Sequence, residues 1–125
     1  MPPTHGSSAT VELTVSDSDT AISMRSGEVP VLATPRLIAL FEEAAMKAVD
    51  GQLGANETTV GMRVQVDHLA PTAVGDVLTA EATLVEVEGR RLTFTVSAKD
   101  HRGLVGAGKV TRVVVDVDRF LDKLN

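Results

Sequence analysis

Apolar positions fall into two rhythms along this chain. Over residues 33–50, Leu37, Ile38, Phe41, Ala44, Ala45, Ala48 and Val49 recur three or four positions apart, which predicts one long helix with a broad apolar stripe. Thr34 and Pro35 suit its start, as cap and first helical residue, and Asp50-Gly51 suits its end. Elsewhere the dominant period is two. It predicts strands over residues 9–15, 58–69, 77–87, 92–98 and 104–117, with a further short strand over 20–24 and a short helix over 118–124. In the second of these strands Val60, Met62, Val64, Val66 and His68 are expected on the core face, and Gly61, Arg63, Gln65 and Asp67 on the other. Leu78, Ala80, Ala82 and Leu84, with a bulge near Val85, supply the next inward face, and Leu92, Phe94, Val96 and Ala98 the one after. Turns are expected at 16–19, 88–90 and 100–103, a break at 71–76, and a flexible tail over 1–8 that includes an inert His5. The alternating acids of 16–19 lack the Gly and distal Glu of a calcium loop.

One helix followed by four strands with short links predicts an α+β fold, an antiparallel meander curled around a central helix. So small a layer leaves apolar surface uncovered, which favours a dimer. At 125 residues and 43% apolar content the chain fits a single domain, 1–125, with a modest core. The N-terminal MPPTHGSSA has neither the basic stretch nor the apolar run of a secretory signal. The absence of Cys removes disulfides and thiolate chemistry and fits a reducing, cytoplasmic setting. A formal charge of -5, with neither Trp nor Tyr for base stacking, argues against nucleic acid as a partner. No run is long enough to span a membrane, and no metal or cofactor is expected.

Three polar residues stand out by position. Glu43 has Lys47 one turn ahead and reads as a solvated pair. Glu42 has only Ile38, Ala39, Ala45 and Met46 at helical spacing, and an apolar-flanked carboxylate needs a partner from elsewhere unless it simply reaches water at the stripe's edge. Thr34 stands at the helix start, where a Thr is commonly only a cap. His68 ends an apolar strand face, where a lone His is commonly structural. Together they supply a hydroxyl, a carboxylate and an imidazole, the groups acyl transfer uses. Residue types alone do not decide, because every domain has some Thr, Glu and His.

The segment VLATPRLIALFEEA resembles the part of the fluoroacetyl-CoA thioesterase family that carries a catalytic Thr and, eight residues later, a catalytic Glu, here Thr34 and Glu42. VGMRVQVDHLAPTAVGD is similar to the family segment in which a Gly precedes the catalytic His by seven residues, here Gly61 and His68. VEGRRLTFTVSAKD resembles its central hairpin, with Gly89, Arg90 and Arg91 at the turn. The likeness runs from about residue 31 to 120, and its specificity lies in the collinear spacing. It implies a hotdog fold, a homodimer in which the Thr, Glu and His converge at the dimer interface so that one site uses both chains, and hydrolysis of a small acyl-CoA thioester without a cofactor. Glu42 would be general base, Thr34 nucleophile or water-positioner, and His68 the group that orients and stabilises charge. Gly61 would let a backbone N–H approach the thioester, Val29 and Leu32 would border the acyl group, and Arg90, Arg91 and Arg102 are candidates for the CoA phosphates, against a plain solvated role. The family's fluoroacetate-specific member has a longer segment before its Thr, with lid aromatics. Here SGEVPVLAT has no Phe, so the resemblance carries general acyl-CoA hydrolysis and not fluoroacetyl selectivity. Two rival readings stay open: a hotdog hydratase or dehydratase, and a non-catalytic acyl-CoA or ligand-binding module. A Glu42 paired with a buried Arg away from His68 would favour the binding module.

Overall fold

The computed structural model describes residues 2–125. Strands β1 (Ser8–Thr14), β2 (Glu57–His68), β3 (Val77–Glu88), β4 (Arg91–Asp100) and β5 (Gly103–Asp116) form one sheet in the order β1-β3-β4-β5-β2, all neighbours antiparallel. Helix α1 (Thr34–Ala48) lies on one face of the sheet and touches all five strands. A short helix, α2 (Val117–Asp122), follows β5. No helix among the described residues is long and apolar enough to cross a membrane.

The core is the meeting of the two periods. Leu37, Leu40, Phe41, Ala44, Ala45 and Ala48 of α1 pack on Leu78, Ala80, Ala82 and Leu84 of β3 and Leu92, Phe94, Val96 and Ala98 of β4. Leu40 completes the expected stripe, and Ile38 lies at its half-buried margin. Each of the large side chains buried here is worth about 1.5–3 kcal/mol relative to exposure. Gly106 lets α1 approach β5: a Cβ there would come within 2.9 Å of Leu37 Cδ2 and of the Asp67 carbonyl.

Several expectations change. The four later strands are not one meander. Strands β3, β4 and β5 are, but β2 crosses to the far side and pairs with β5, so β1 and β2 are the edges. Residues 20–24 form turns, tied to the rest by a single bridge from Thr20 to Leu32. The stretch before β1 is not a free tail, because Thr4 N–H donates to Gln52 Oε1 at 2.8 Å, Gly6 N–H donates to Leu84 O at 2.8 Å, and Pro3 is buried. Met1 lies outside the described residues.

The most consequential difference is a bulge in β2. Gly61 pairs with Arg112 and Arg63 with Thr111, which leaves Met62 outside the ladder. The extra residue reverses the alternation. Thr59 and Gly61, not Val60 and Met62, face α1 before it, whereas Val64, Val66 and His68 face α1 after it, opposite Val110, Gly108 and Gly106. Gly61 and His68 are seven residues apart, an odd number that would put them on opposite faces of a regular strand. The bulge puts both on the helix side.

Candidate active site

The helix begins with Ala33 as N-cap, which brings no side-chain cap. Thr34 therefore does not cap the helix as expected, and its hydroxyl is left for another partner. Its Oγ1 lies 2.8 Å from His68 Nδ1. The other ring nitrogen, Nε2, is buried with no hydrogen-bond partner among the described residues. Burial lowers the His68 pKa from its ordinary 6.5, with the Ala70 backbone partly opposing it, so the ring is neutral at pH 7. In the tautomer protonated at Nε2, Nδ1 accepts the Thr34 O–H.

Glu42 finds its partner on β5. Arg112 Nη1 donates to Glu42 Oε2 at 2.8 Å. Arg112 is itself fixed by Thr59, donating from Nε to Oγ1 and from Nη2 to the carbonyl, each at 2.9 Å. Burial lowers the Arg112 pKa and the Glu42 charge opposes that; an Arg keeps its proton at any physiological pH. The Glu42 side chain stays 31% exposed, against 6% for Arg112. A Cβ on Gly61 would overlap Glu42 Oε2, so only glycine leaves room for this carboxylate. Glu43 is exposed as expected, but Lys47 donates to the Thr10 carbonyl at 3.2 Å.

Thr34 and His68 thus form one pair, and Glu42, Arg112 and Gly61 form another. The two lie eight residues apart along α1, about 12 Å of helix, and no hydrogen bond or ion pair links them among the described residues. Val29 and Leu32 line a pocket of about 300 Å³ together with Thr34 and His68. Arg90 is elsewhere, bonded to Glu57 and the Val114 carbonyl at 3.2 Å each, and Arg91 adjoins it at the β3–β4 hairpin. Arg102 sits in the β4–β5 turn. Among the described residues, no group of three His, Asp or Glu is placed to hold a metal ion.

Arg112 is the residue the sequence reading missed. The signal was a basic residue flanked two positions away by Val110 and Val114, on the inward face of an apolar strand. The arrangement supplies a neutral imidazole on a hydroxyl beside an apolar pocket, and a carboxylate held at one oxygen.

The model of the fluoroacetyl-CoA-specific thioesterase family matches residues 15–118. The chain belongs to that family. It is thereby a thioester hydrolase by class. It is 36% identical over 94 residues, 75% of this chain and 68% of the other, to a fluoroacetyl-CoA thioesterase from Streptantibioticus cattleyicolor. A solved structure of the fluoroacetyl-CoA thioesterase superposes with a TM-score of 0.93 at 29% identity, covering 99% of this chain and 96% of that one. A variant of that enzyme holding fluoroacetate and CoA gives 0.88 at 30% identity, covering 94% and 98%. A hot-dog-like protein from Thermanaerovibrio acidaminovorans also gives 0.88 at 30% identity, covering 96% and 89%. The curled antiparallel sheet around one long helix is the hotdog fold.

Proposed function

We propose that this protein hydrolyses the thioester of a small acyl-CoA at a site shared between two copies of the chain. The observation that carries this reading is the pair of half-sites. Thr34 and His68 meet beside an apolar pocket, whereas Glu42 is held by Arg112 over Gly61, about two turns away on the same helix. A two-fold dimer that sets the Thr34 end of one α1 against the Glu42 region of the other completes both sites at once. The exposed apolar residues Met62 and Val64 on edge strand β2, and Met46 on α1, support such an interface. Family membership and the CoA complex of a relative support the substrate class.

In this mechanism a water attacks the thioester carbonyl carbon. Glu42 takes a proton from that water through Oε1, because Arg112 occupies Oε2. Thr34 and His68 hold the carbonyl and stabilise the charge that develops on it, with a backbone N–H near Gly61 assisting. The C–S bond then breaks, the CoA thiolate receives the proton from Glu42, and a carboxylic acid and CoA leave. The hydrogen bond from Thr34 to Nδ1 also suits a covalent route, in which Thr34 Oγ1 attacks the carbonyl carbon, His68 takes its proton and passes it to the CoA thiolate as the C–S bond breaks, and water then hydrolyses the Thr34 ester to release the acid.

The pairing of Glu42 with a buried Arg, apart from His68 of its own chain, favours a second reading, a non-catalytic acyl-CoA-binding module. Two isosteric variants separate the readings, with release of free thiol as readout. Glu42→Gln keeps the side chain's size and should cut kcat by on the order of a hundredfold or more, the scale of losing a positioned base. Glu43→Gln should leave the rate unchanged. Equal, undiminished rates in both variants would remove Glu42 from the chemistry, and no turnover by the native protein would leave the binding module.

A further inference from the structure

The pocket beside Thr34 and His68 is far larger than a two-carbon acyl group. It is a cleft open to solvent, of about 300 Å³, whose apolar lining comes from Ala21, Val29, Val31, Leu32 and Leu69, with Ser26 and Pro71 also at its edge. No charged side chain lines it among the described residues, His68 being neutral. At about 30 Å³ for a group the size of a methylene or a water, a fluoromethyl or methyl substituent would fill only a small part of that space. The remainder would stay wet against apolar walls. Val29 and Leu69 at the rim are 55% and 59% exposed, which is apolar surface still uncovered.

The walls are pre-formed. Ala21 N–H donates to Val31 O at 2.9 Å, Ser26 N–H to Ala21 O at 2.8 Å, and Leu32 N–H to Thr72 O at 2.9 Å. The foot of the segment is anchored where Ala33 N–H donates to Asp19 O at 2.9 Å, while Arg36 Nε bonds the Asp19 carboxylate at 3.0 Å. Burial raises the Asp19 pKa, but bonds from Ser16 and Arg36 outweigh it and hold the carboxyl below its ordinary value, so this anchor is charged at neutral pH. A pocket whose wall is fixed in advance discriminates by size, because the wall does not collapse onto a smaller group.

Resting on the hydrolase reading above, we propose that the substrate is a CoA thioester of an uncharged aliphatic acid of about four to six carbons, a chain that would occupy roughly half of this volume and leave the mouth to the thioester and the start of CoA. Hydrolysis releases the aliphatic acid and free CoA. The pocket wall, and Val29 and Leu69 in particular, sets the chain length.

The test is a series of saturated acyl-CoA thioesters of increasing chain length, with kcat/KM measured for the native protein and for Val29→Phe. Each methylene that enters the pocket should raise kcat/KM about fourfold. Hexanoyl-CoA should therefore exceed acetyl-CoA by on the order of a hundredfold, with a plateau beyond it. Val29→Phe, a change at an exposed rim position, should occupy the pocket and reduce that ratio to within about tenfold. In parallel, calorimetry with the non-hydrolysable thioethers S-hexyl-CoA and S-ethyl-CoA reads the pocket without turnover, and the native protein should hold the hexyl compound at least tenfold more tightly. Hydrolysis of all chain lengths at similar rates, or best for acetyl, overturns the length assignment and leaves the hydrolase reading standing. Tighter S-hexyl-CoA binding with no hydrolysis of any thioester does the reverse. Equal affinity for the two thioethers, or a preference that survives in Val29→Phe, overturns the assignment of the pocket.

Discussion

His68 ends an apolar strand face with one ring nitrogen on a hydroxyl and the other buried without a partner. Burial makes the charged ring costly, so the folded protein binds a proton at this position less readily than the unfolded chain does. As pH falls through 6.5 the unfolded chain protonates first. The His68 contribution therefore destabilises the fold progressively below that pH and is neutral above it. The same shift keeps the ring available as an acceptor for Thr34 in mildly acidic solution. The ring's NMR titration should have its midpoint below 6.5, and the His68-dependent acid limb of kcat/KM should lie there too. A midpoint above 6.5 would mean that the ring gains a charge partner in the working protein and that burial is not its dominant influence. At this scale the sequence singled out Thr34, Glu42 and His68 by type and spacing, and the structure bonds Thr34 to His68 while it pairs Glu42 elsewhere. Alternation sets Arg112 in line with Val110 and Val114 on an inward strand face, but nothing in the sequence joins it to Glu42, because the two lie seventy positions apart and no local period connects them.

Strand β2 shows where reading by element succeeds and where it stops. Its existence and near-boundaries follow from alternation, but a strict period of two assigns Val60 and Met62 to the core and Gly61 to solvent. The bulge at Met62 reverses that half of the strand, and the one residue type that hints at it is the neighbouring Gly61 inside the strand. Its position in the sheet was hidden for a different reason. The link over residues 69–76 is short and turn-like, so it reads as a hairpin, whereas it carries the chain across to β3 while β2 stays with β5. The core strands β3 and β4, and α1 itself, were legible because each buries one face along its whole length. The bulge makes a direct prediction. Gly61→Ala adds a methyl that must displace the Glu42 carboxylate. Thermal unfolding should show a loss of about 1–3 kcal/mol, the usual scale of overpacking, and kcat should fall by about a hundredfold, the scale of a misplaced base. A fully active Gly61→Ala would show that Glu42 does not need its place against β2.

At the scale of the whole molecule, one chain holds the Thr34–His68 pair apart from the Glu42–Arg112 pair and leaves the β2 edge with exposed Met62 and Val64. The composition suggested uncovered apolar surface, but not that the groups proposed for catalysis would divide between two clusters. That division follows from α1, which carries Thr34 and Glu42 about 12 Å apart on a rigid rod and so holds them apart within one copy. Mixing two damaged proteins tests the shared site most directly. His68→Ala and Glu42→Gln should each reduce acyl-CoA hydrolysis by on the order of a hundredfold or more. After subunit exchange, a heterodimer of the two has one site with native Glu42 from one chain and native His68 from the other, and one site lacking both. With half the dimers mixed and one of two sites restored in each, activity should return to roughly a quarter of native under the isologous geometry of a two-fold dimer. Two inactive variants whose mixture, shown to have exchanged, stays inactive would contradict a site shared between chains.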